Sequence, residues 1–267
     1  MAGDGAAYSQ PTPKILYIHD DLTDELSRRE AADAPAMRLA RDLLAAVARD
    51  PERVRVLTLG EQLDRVIAQG DHPPFAIAIG IDGAGQRVAE TLHARTGWFP
   101  RIRRIDLARE EDGRGGYRLM TPEGRGLATQ LDGLADCVSV AVVDDTVFSG
   151  LTMRGVIEAL PASLRARTHA FCLRGVADSI ATVAARCPIT AGVAASGRRL
   201  EDVSFINASG LVRRIAIRRL GQAPLAFFDR PEWIRAWFPA SHATVLRLCR
   251  ELNVRLEPLP SSSPSAP

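Results

Sequence analysis

The chain of 267 residues contains a single lysine, Lys14, so its basic side chains are otherwise all arginine and lysine is excluded from every catalytic role inside the core. Cysteine is sparse too. Cys137, Cys172, Cys187 and Cys249 are scattered, with no CxxC and no Cys/His ligand spacing, which points to buried free thiols in a reducing compartment. Neither sign of charge dominates: the formal net charge is +2, so composition gives no electrostatic case for nucleic-acid binding. No apolar run approaches a membrane span, and Met1–Pro13 lacks the basic head and apolar stretch of a signal peptide. A soluble cytoplasmic protein with no membrane partner is therefore expected. Gly-x-Ser-x-Gly is absent, so a serine hydrolase is not supported.

What remains is ordinary globular material, with 46% hydrophobic and 25% charged residues, enough for one large domain or a domain with an extension. Residues 1–13 and 259–267 are small, polar and Pro-containing and are expected to be disordered tails. Lys14–His19 reads as a strand. Pro35 opens a helix that buries Met37, Leu39, Leu43, Leu44 and Val47, and Val54–Leu59 is a second strand. Phe75–Ile79 is a third strand, followed by a glycine loop at 80–86 and a helix from Arg87 to about Arg95. Arg103–Leu107 and Tyr117–Thr121 suggest a β-hairpin around 108–116. Strands at Val138–Val143, His169–Leu173 and Ile189–Ala194 alternate with helices at 127–134, 153–160 and 179–186. This alternation predicts an α/β fold with a mostly parallel sheet flanked by helices. The divisions expected are an N-terminal α/β segment at 14–74, a core at 75–195 and a C-terminal extension at 196–258.

The chemistry concentrates in Val140-Ala141-Val142-Val143-Asp144-Asp145-Thr146-Val147-Phe148-Ser149-Gly150-Leu151-Thr152. An apolar strand ends in two carboxylates, where open α/β sheets bind their ligands. Ser149–Thr152 then meets a helix N-terminus, whose free N–H groups and positive dipole end favour a phosphate. Carboxylates for vicinal hydroxyls and a cradle for a phosphate monoester together describe a ribose 5-phosphate site. Gly150 lets the backbone approach the phosphate, and the adjacent anions would suit Mg²⁺, which binds through one or two carboxylates plus substrate phosphates. The plainer alternative is a turn capped by Asp144 and Asp145, with Ser149 as an N-cap.

This segment resembles the phosphoribosyl-diphosphate (PRPP) motif of the type I phosphoribosyltransferases: four apolar residues, two acidic, three variable, then Thr-Gly-x-Thr. Asp144, Asp145, Gly150 and Thr152 match, and Ser149 keeps the hydroxyl of the first Thr. The resemblance implies a Rossmann-type core, a mobile lid and a variable hood. It implies that Asp144 and Asp145 are catalytic and hold the ribose hydroxyls, while Thr146, Val147, Phe148, Ser149, Gly150, Leu151 and Thr152 bind the 5-phosphate. It places a pyrophosphate loop at Gly80, Ile81, Asp82, Gly83, Ala84 and Gly85, with Arg87 the nearest cation, and lid arginines at Arg109 and Arg114. Mg²⁺ would then be met by Asp82, Asp144 and Asp145, directly or through water. The partners implied are PRPP and a small-molecule acceptor, and a homodimer is open. The family usually carries a basic residue where Asp82 stands, which keeps open a regulatory relative that senses PRPP or a nucleotide.

Several other features have weaker readings. Gly83-Ala84-Gly85 with Asp106 about twenty residues on gives a partial dinucleotide fingerprint, without its third glycine. Asp20 and Asp21 follow the first strand and read as a helix start. His72, His93, His169 and His242 have no partner at ligand or triad spacing. Trp233 and Trp237 share a helical face, as core packing or as a wall against a planar acceptor. The segment 197–207, with Arg198 and Arg199, is a candidate rim for an anionic group.

Overall fold

The apolar runs sort into two parallel sheets rather than one. The computed structural model describes residues 15–111, 117–122, 125–217 and 223–256; the tails expected at 1–13 and 259–267 lie outside them. In chain order the elements begin with β1 (Ile15–Asp20), α1 (Leu22–Ser27), α2 (Pro35–Val47), β2 (Val54–Thr58), α3 (Leu59–Ile67), β3 (Ile77–Ile81) and α4 (Asp82–Thr96). Next come β4 (Ile102–Ile105), β5 (Ala108–Glu111), β6 (Tyr117–Met120), α5 (Leu127–Gln130), β7 (Val140–Val147), α6 (Leu151–Ala159) and α7 (Ala162–Arg165). The chain finishes with β8 (Thr168–Val176), α8 (Ala177–Ala184), β9 (Ile189–Ala195), β10 (Val203–Asn207), α9 (Ala208–Val212), a 3₁₀ turn (Phe227–Asp229), α10 (Pro231–Trp237) and α11 (His242–Leu256). Among the described residues no helix is long and apolar enough to cross a membrane.

Two compact units result, one from Met1–Leu59 and Leu200–Pro267, the other from Gly60–Arg199. This division runs at 59/60 and 199/200, where the sequence suggests 74/75 and 195/196, and the segments 15–59 and 200–256 share one body. Strand pairing causes this. β10 adds to β1 in parallel (Ile15↔Val203, His19↔Asn207), and β2 pairs β1 on its other side, in the order β10-β1-β2. Of the candidate rim 197–207, residues 203–207 are therefore a sheet strand. Pro35 opens α2, whose Met37, Ala40, Leu43 and Val47 pack in a core with Leu248 and Leu252 of α11 and Trp237 of α10. Trp237 is buried and Trp233 partly so, their rings 6.1 Å apart, as core packing requires. Asp20 accepts the Thr23 N–H at 2.9 Å and closes the start of α1, while Asp21 accepts the N–H of Ser209 in α9 at 2.8 Å.

The second unit is a five-stranded all-parallel sheet in the order β4-β3-β7-β8-β9, with β3, β7 and β8 inside it. Strands buried on both faces read as continuous apolar runs, and Val140–Val143 are wholly buried. Arg103–Leu107 does not pair with Tyr117–Thr121 as a hairpin. Residues 103–105 belong instead to β4, which lies parallel to β3 at the sheet edge, and the hairpin is formed by β5 and β6. Leu119 of β6 rests on α6 at Gly155, where a Cβ would lie 2.3 Å from its Cδ1.

Away from the strand C-termini, His72 and His169 meet edge to face at 4.7 Å within a cluster that includes Phe75, Trp98 and Phe171. Trp98 Nε1–H donates to Asp71 Oδ1 at 2.9 Å, and His169 Nε2 shares a hydrogen bond with Thr190 Oγ1 at 2.9 Å. Burial, then the charge of His72, lowers His169 from 6.5 to about 4; burial also lowers His72, against the pull of Asp71. Both rings therefore resist protonation in the folded chain and gain it more readily on unfolding. The sign follows: stability is intact above about pH 6.5 and falls as pH drops toward about 4. Urea midpoints measured across that window should decline, and His169→Gln should flatten the decline.

Candidate functional site

Val140–Val143 drives β7 into the sheet, but the strand does not stop at the acidic pair. The β7–β8 ladder continues through Asp144↔Cys172, Thr146↔Arg174 and Val147↔Gly175. Gly175 permits this, since a Cβ there would lie 2.7 Å from the Val147 carbonyl oxygen. Asp144 and Asp145 are thus held by sheet hydrogen bonding near the C-terminal end of a central strand. Asp144 Oδ1 accepts the Asp145 N–H at 2.8 Å. Asp145 Oδ2 accepts from Thr146 Oγ1 at 3.1 Å and from Arg174 Nη2 at 2.9 Å.

Arg174 lies on β8 and is the site residue that sequence reasoning passed over. Its side chain is 2% exposed, against 24% for Asp145, and its Nη1 donates to Gln62 Oε1 on α3 at 3.3 Å. A buried guanidinium needs a partner, so an arginine inside an otherwise apolar strand was the available signal. Cys172, opposite Asp144, is fully buried; burial first and Asp144 next push its thiol pKa far up, so it stays a neutral packing group.

Beyond Val147 the chain turns at Phe148-Ser149-Gly150 into α6. Gly150 has φ 69°, the left-handed region, and a Cβ there would sit 3.2 Å from the Ser179 carbonyl oxygen and from Thr182 Oγ1. Ser179 Oγ donates to the Phe148 carbonyl at 2.8 Å, and Ser149 Oγ accepts the Leu151 N–H at 3.3 Å. These bonds shape a small concavity lined by Asp144, Thr146, Val147, Phe148, Ser149, Gly150, Leu151, Thr152 and Met153. The first-turn N–H groups of α6 have no acceptor within the helix and belong to this wall. Asp145 stands beside the concavity rather than in its lining. Arg199 lies 5.8 Å over the Phe148 ring.

The segment 80–86 is not an open loop. Gly80 and Ile81 close β3, and α4 begins at Asp82, five residues before the start expected at Arg87. Asp82 adopts φ 52°, and its Oδ1 accepts the Leu107 N–H at 2.9 Å. Gly83, Ala84 and Gly85 are helical. Gly80 and Gly85 lack side chains because α4 touches the sheet: a Cβ would fall 2.6 Å from Gln86 Cα at the first and 2.3 Å from the Val143 carbonyl oxygen at the second. A Cβ on Gly83 would lie 3.3 Å from Arg87 Nη1 and 3.5 Å from Arg104 Nη1, so two guanidiniums flank this helix start. Arg104, on β4, was not anticipated; it pairs with Asp106 at 2.6 Å. Asp106 also donates its backbone N–H to Gln130 Oε1 at 2.7 Å, so with its carboxylate on Arg104 it ties β4 to α5. Of the two lid arginines, Arg109 falls in β5, where only its backbone is described, and Arg114 lies outside the described residues.

Among the described residues no group of three His, Cys, Asp or Glu side chains is arranged to hold a metal ion. Asp144, Asp145 and Asp82 nevertheless offer carboxylate oxygens, the donor type Mg²⁺ takes when it arrives with a phosphorylated substrate and keeps several waters.

No family model matches the chain, and no curated protein matches it. Among solved structures, the purine phosphoribosyltransferase of Pyrococcus horikoshii aligns at TM-score 0.34 and 16% identity, over 72% of this chain and 92% of that one. The orotate phosphoribosyltransferase of Aeropyrum pernix aligns at TM-score 0.33 and 17% identity, over 51% and 70%. A hypothetical protein of Neisseria gonorrhoeae with bound ppGpp aligns at TM-score 0.37 and 14% identity, over 62% and 82%. At TM-scores of this size the likenesses decide nothing, and the functional reading rests on the residues of the site.

Proposed function

We propose that the chain transfers the 5-phosphoribosyl group of PRPP to a small-molecule acceptor and releases pyrophosphate. The observation that carries this is the order of groups along β7 and into α6: two carboxylates, a hydroxyl loop with a left-handed glycine, then a helix N-terminus. The helix N-terminus with Ser149 and Thr152 suits a 5-phosphate, and Asp144 and Asp145 suit the ribose hydroxyls. Loss of pyrophosphate leaves positive charge on C1 and the ring oxygen, which fixed anions beside the sugar would stabilise. Arg87 and Arg104 at the start of α4 would receive the leaving diphosphate. Mg²⁺, held by Asp144, Asp145 or Asp82, would neutralise charge on that diphosphate.

A second reading is a PRPP or nucleotide sensor with little turnover. It is favoured by the Arg174–Asp145 ion pair, which cancels one of the two charges that the transition state would use. Incubation with PRPP, Mg²⁺ and a panel of acceptors, assayed for pyrophosphate, separates them. Acceptor-dependent release supports the transferase; tight PRPP binding with no release supports the sensor. Failure to bind PRPP removes both.

A further inference from the structure

Two side chains in the second unit are joined in a way that ribose binding alone does not require. Arg174 is 2% exposed, too deep to meet a ligand's bulk, yet its Nη2 reaches Asp145 Oδ2 at 2.9 Å. Among the described residues, the hydrogen bonds from other side chains to this carboxylate fall on that same oxygen: Thr146 Oγ1 at 3.1 Å and Arg174. Oδ1 accepts none among the described residues, and the side chain is 24% exposed. The guanidinium is itself held from behind by Gln62 of α3, at 3.3 Å, and Gln62 is fully buried. A planar fork fixed at both ends allows a carboxylate fewer orientations than a hydrated one has.

We propose that Arg174 is a positioning residue: it clamps Asp145 by Oδ2 so that Oδ1 is presented to a vicinal hydroxyl of the sugar. This rests on the ribose reading of Asp145 given above. The clamp also sets the site's preference for a sugar phosphate over a bare phosphate, since only the sugar reaches Asp145.

The test is calorimetric binding of ribose 5-phosphate and of inorganic phosphate to the full chain and to Arg174→Met. Loss of a charge-assisted contact's geometry should weaken ribose 5-phosphate by about tenfold or more. Inorganic phosphate, which meets only the loop and helix, should bind as it does to the wild type. Equal ribose 5-phosphate affinity in the variant overturns the clamp, and so does a parallel loss for both ligands, which marks a purely structural role. Should Arg174→Met fail to fold, Arg174→Lys retains a cation but cannot hold Gln62 and Asp145 in one plane. A loss of about threefold or more for the sugar alone is then expected, and unchanged affinity for both ligands overturns the proposal. A wild type that binds phosphate but gains nothing from the ribose removes the functional reading itself, an outcome distinct from a variant that binds like the wild type.

Discussion

Asp145→Asn should lower pyrophosphate release from PRPP by more than about a hundredfold while leaving the chain folded. The amide keeps the shape of the carboxylate and its carbonyl oxygen still accepts from Arg174, but the buried guanidinium loses the charge of this partner, so the folded chain should be less stable than wild type. What disappears is the charge. A preorganised electrostatic contact to developing charge is worth about 2.7–4 kcal/mol, which is where the hundredfold comes from. KM for PRPP should change less than kcat, because the neutral sugar of the ground state needs the charge less than the oxocarbenium-like transition state does. Wild-type circular dichroism and a cooperative thermal transition, at a lowered midpoint, check that the fold survives. A near-wild-type rate would falsify the role of Asp145 in stabilising the sugar.

The candidate site was legible in the sequence to the extent that it is built from one contiguous segment. Strand, acidic pair, hydroxyl–glycine turn and helix occur within thirteen consecutive residues, and the structure gathers Asp144 and Thr146–Thr152 around one concavity. What stayed hidden lies on other strands. Arg174 and Arg104 come to the sheet's C-terminal edge through register, Thr146↔Arg174 and Gly80↔Arg104, which no local pattern encodes. The same limit explains the domain boundary. Val203–Asn207 looked like part of a rim because nothing nearby in the sequence tells a strand that its partner is Ile15–His19. β7 was read too short for a related reason: carboxylates at Asp144 and Asp145 break the apolar run, while the ladder to β8 carries the strand on regardless.

The glycines of 80–86 supply the sharpest contrast between a functional and a packing explanation. Read from sequence, Gly80, Gly83 and Gly85 belong to a pyrophosphate loop; in the fold, Gly83 and Gly85 lie in the first turn of α4. Gly85→Ala would drive a methyl group to 2.3 Å from the Val143 carbonyl oxygen, a backbone atom in a fully buried strand. Neither the strand nor the helix start yields cheaply, so α4 must lift from β7. Overpacking against rigid backbone costs about 3 kcal/mol or more, which lowers the thermal midpoint by roughly 6–12 °C in a unit of this size. Gly83→Ala offers the control one turn-face away. Its methyl would meet Arg87 Nη1 at 3.3 Å, the tip of a flexible side chain that swings aside. Alanine also gains helix propensity of about 0.5–1 kcal/mol over glycine, so the midpoint should hold or rise slightly. If Gly85→Ala leaves the midpoint unchanged while phosphate affinity falls, then 80–86 serves a ligand rather than the contact between α4 and β7.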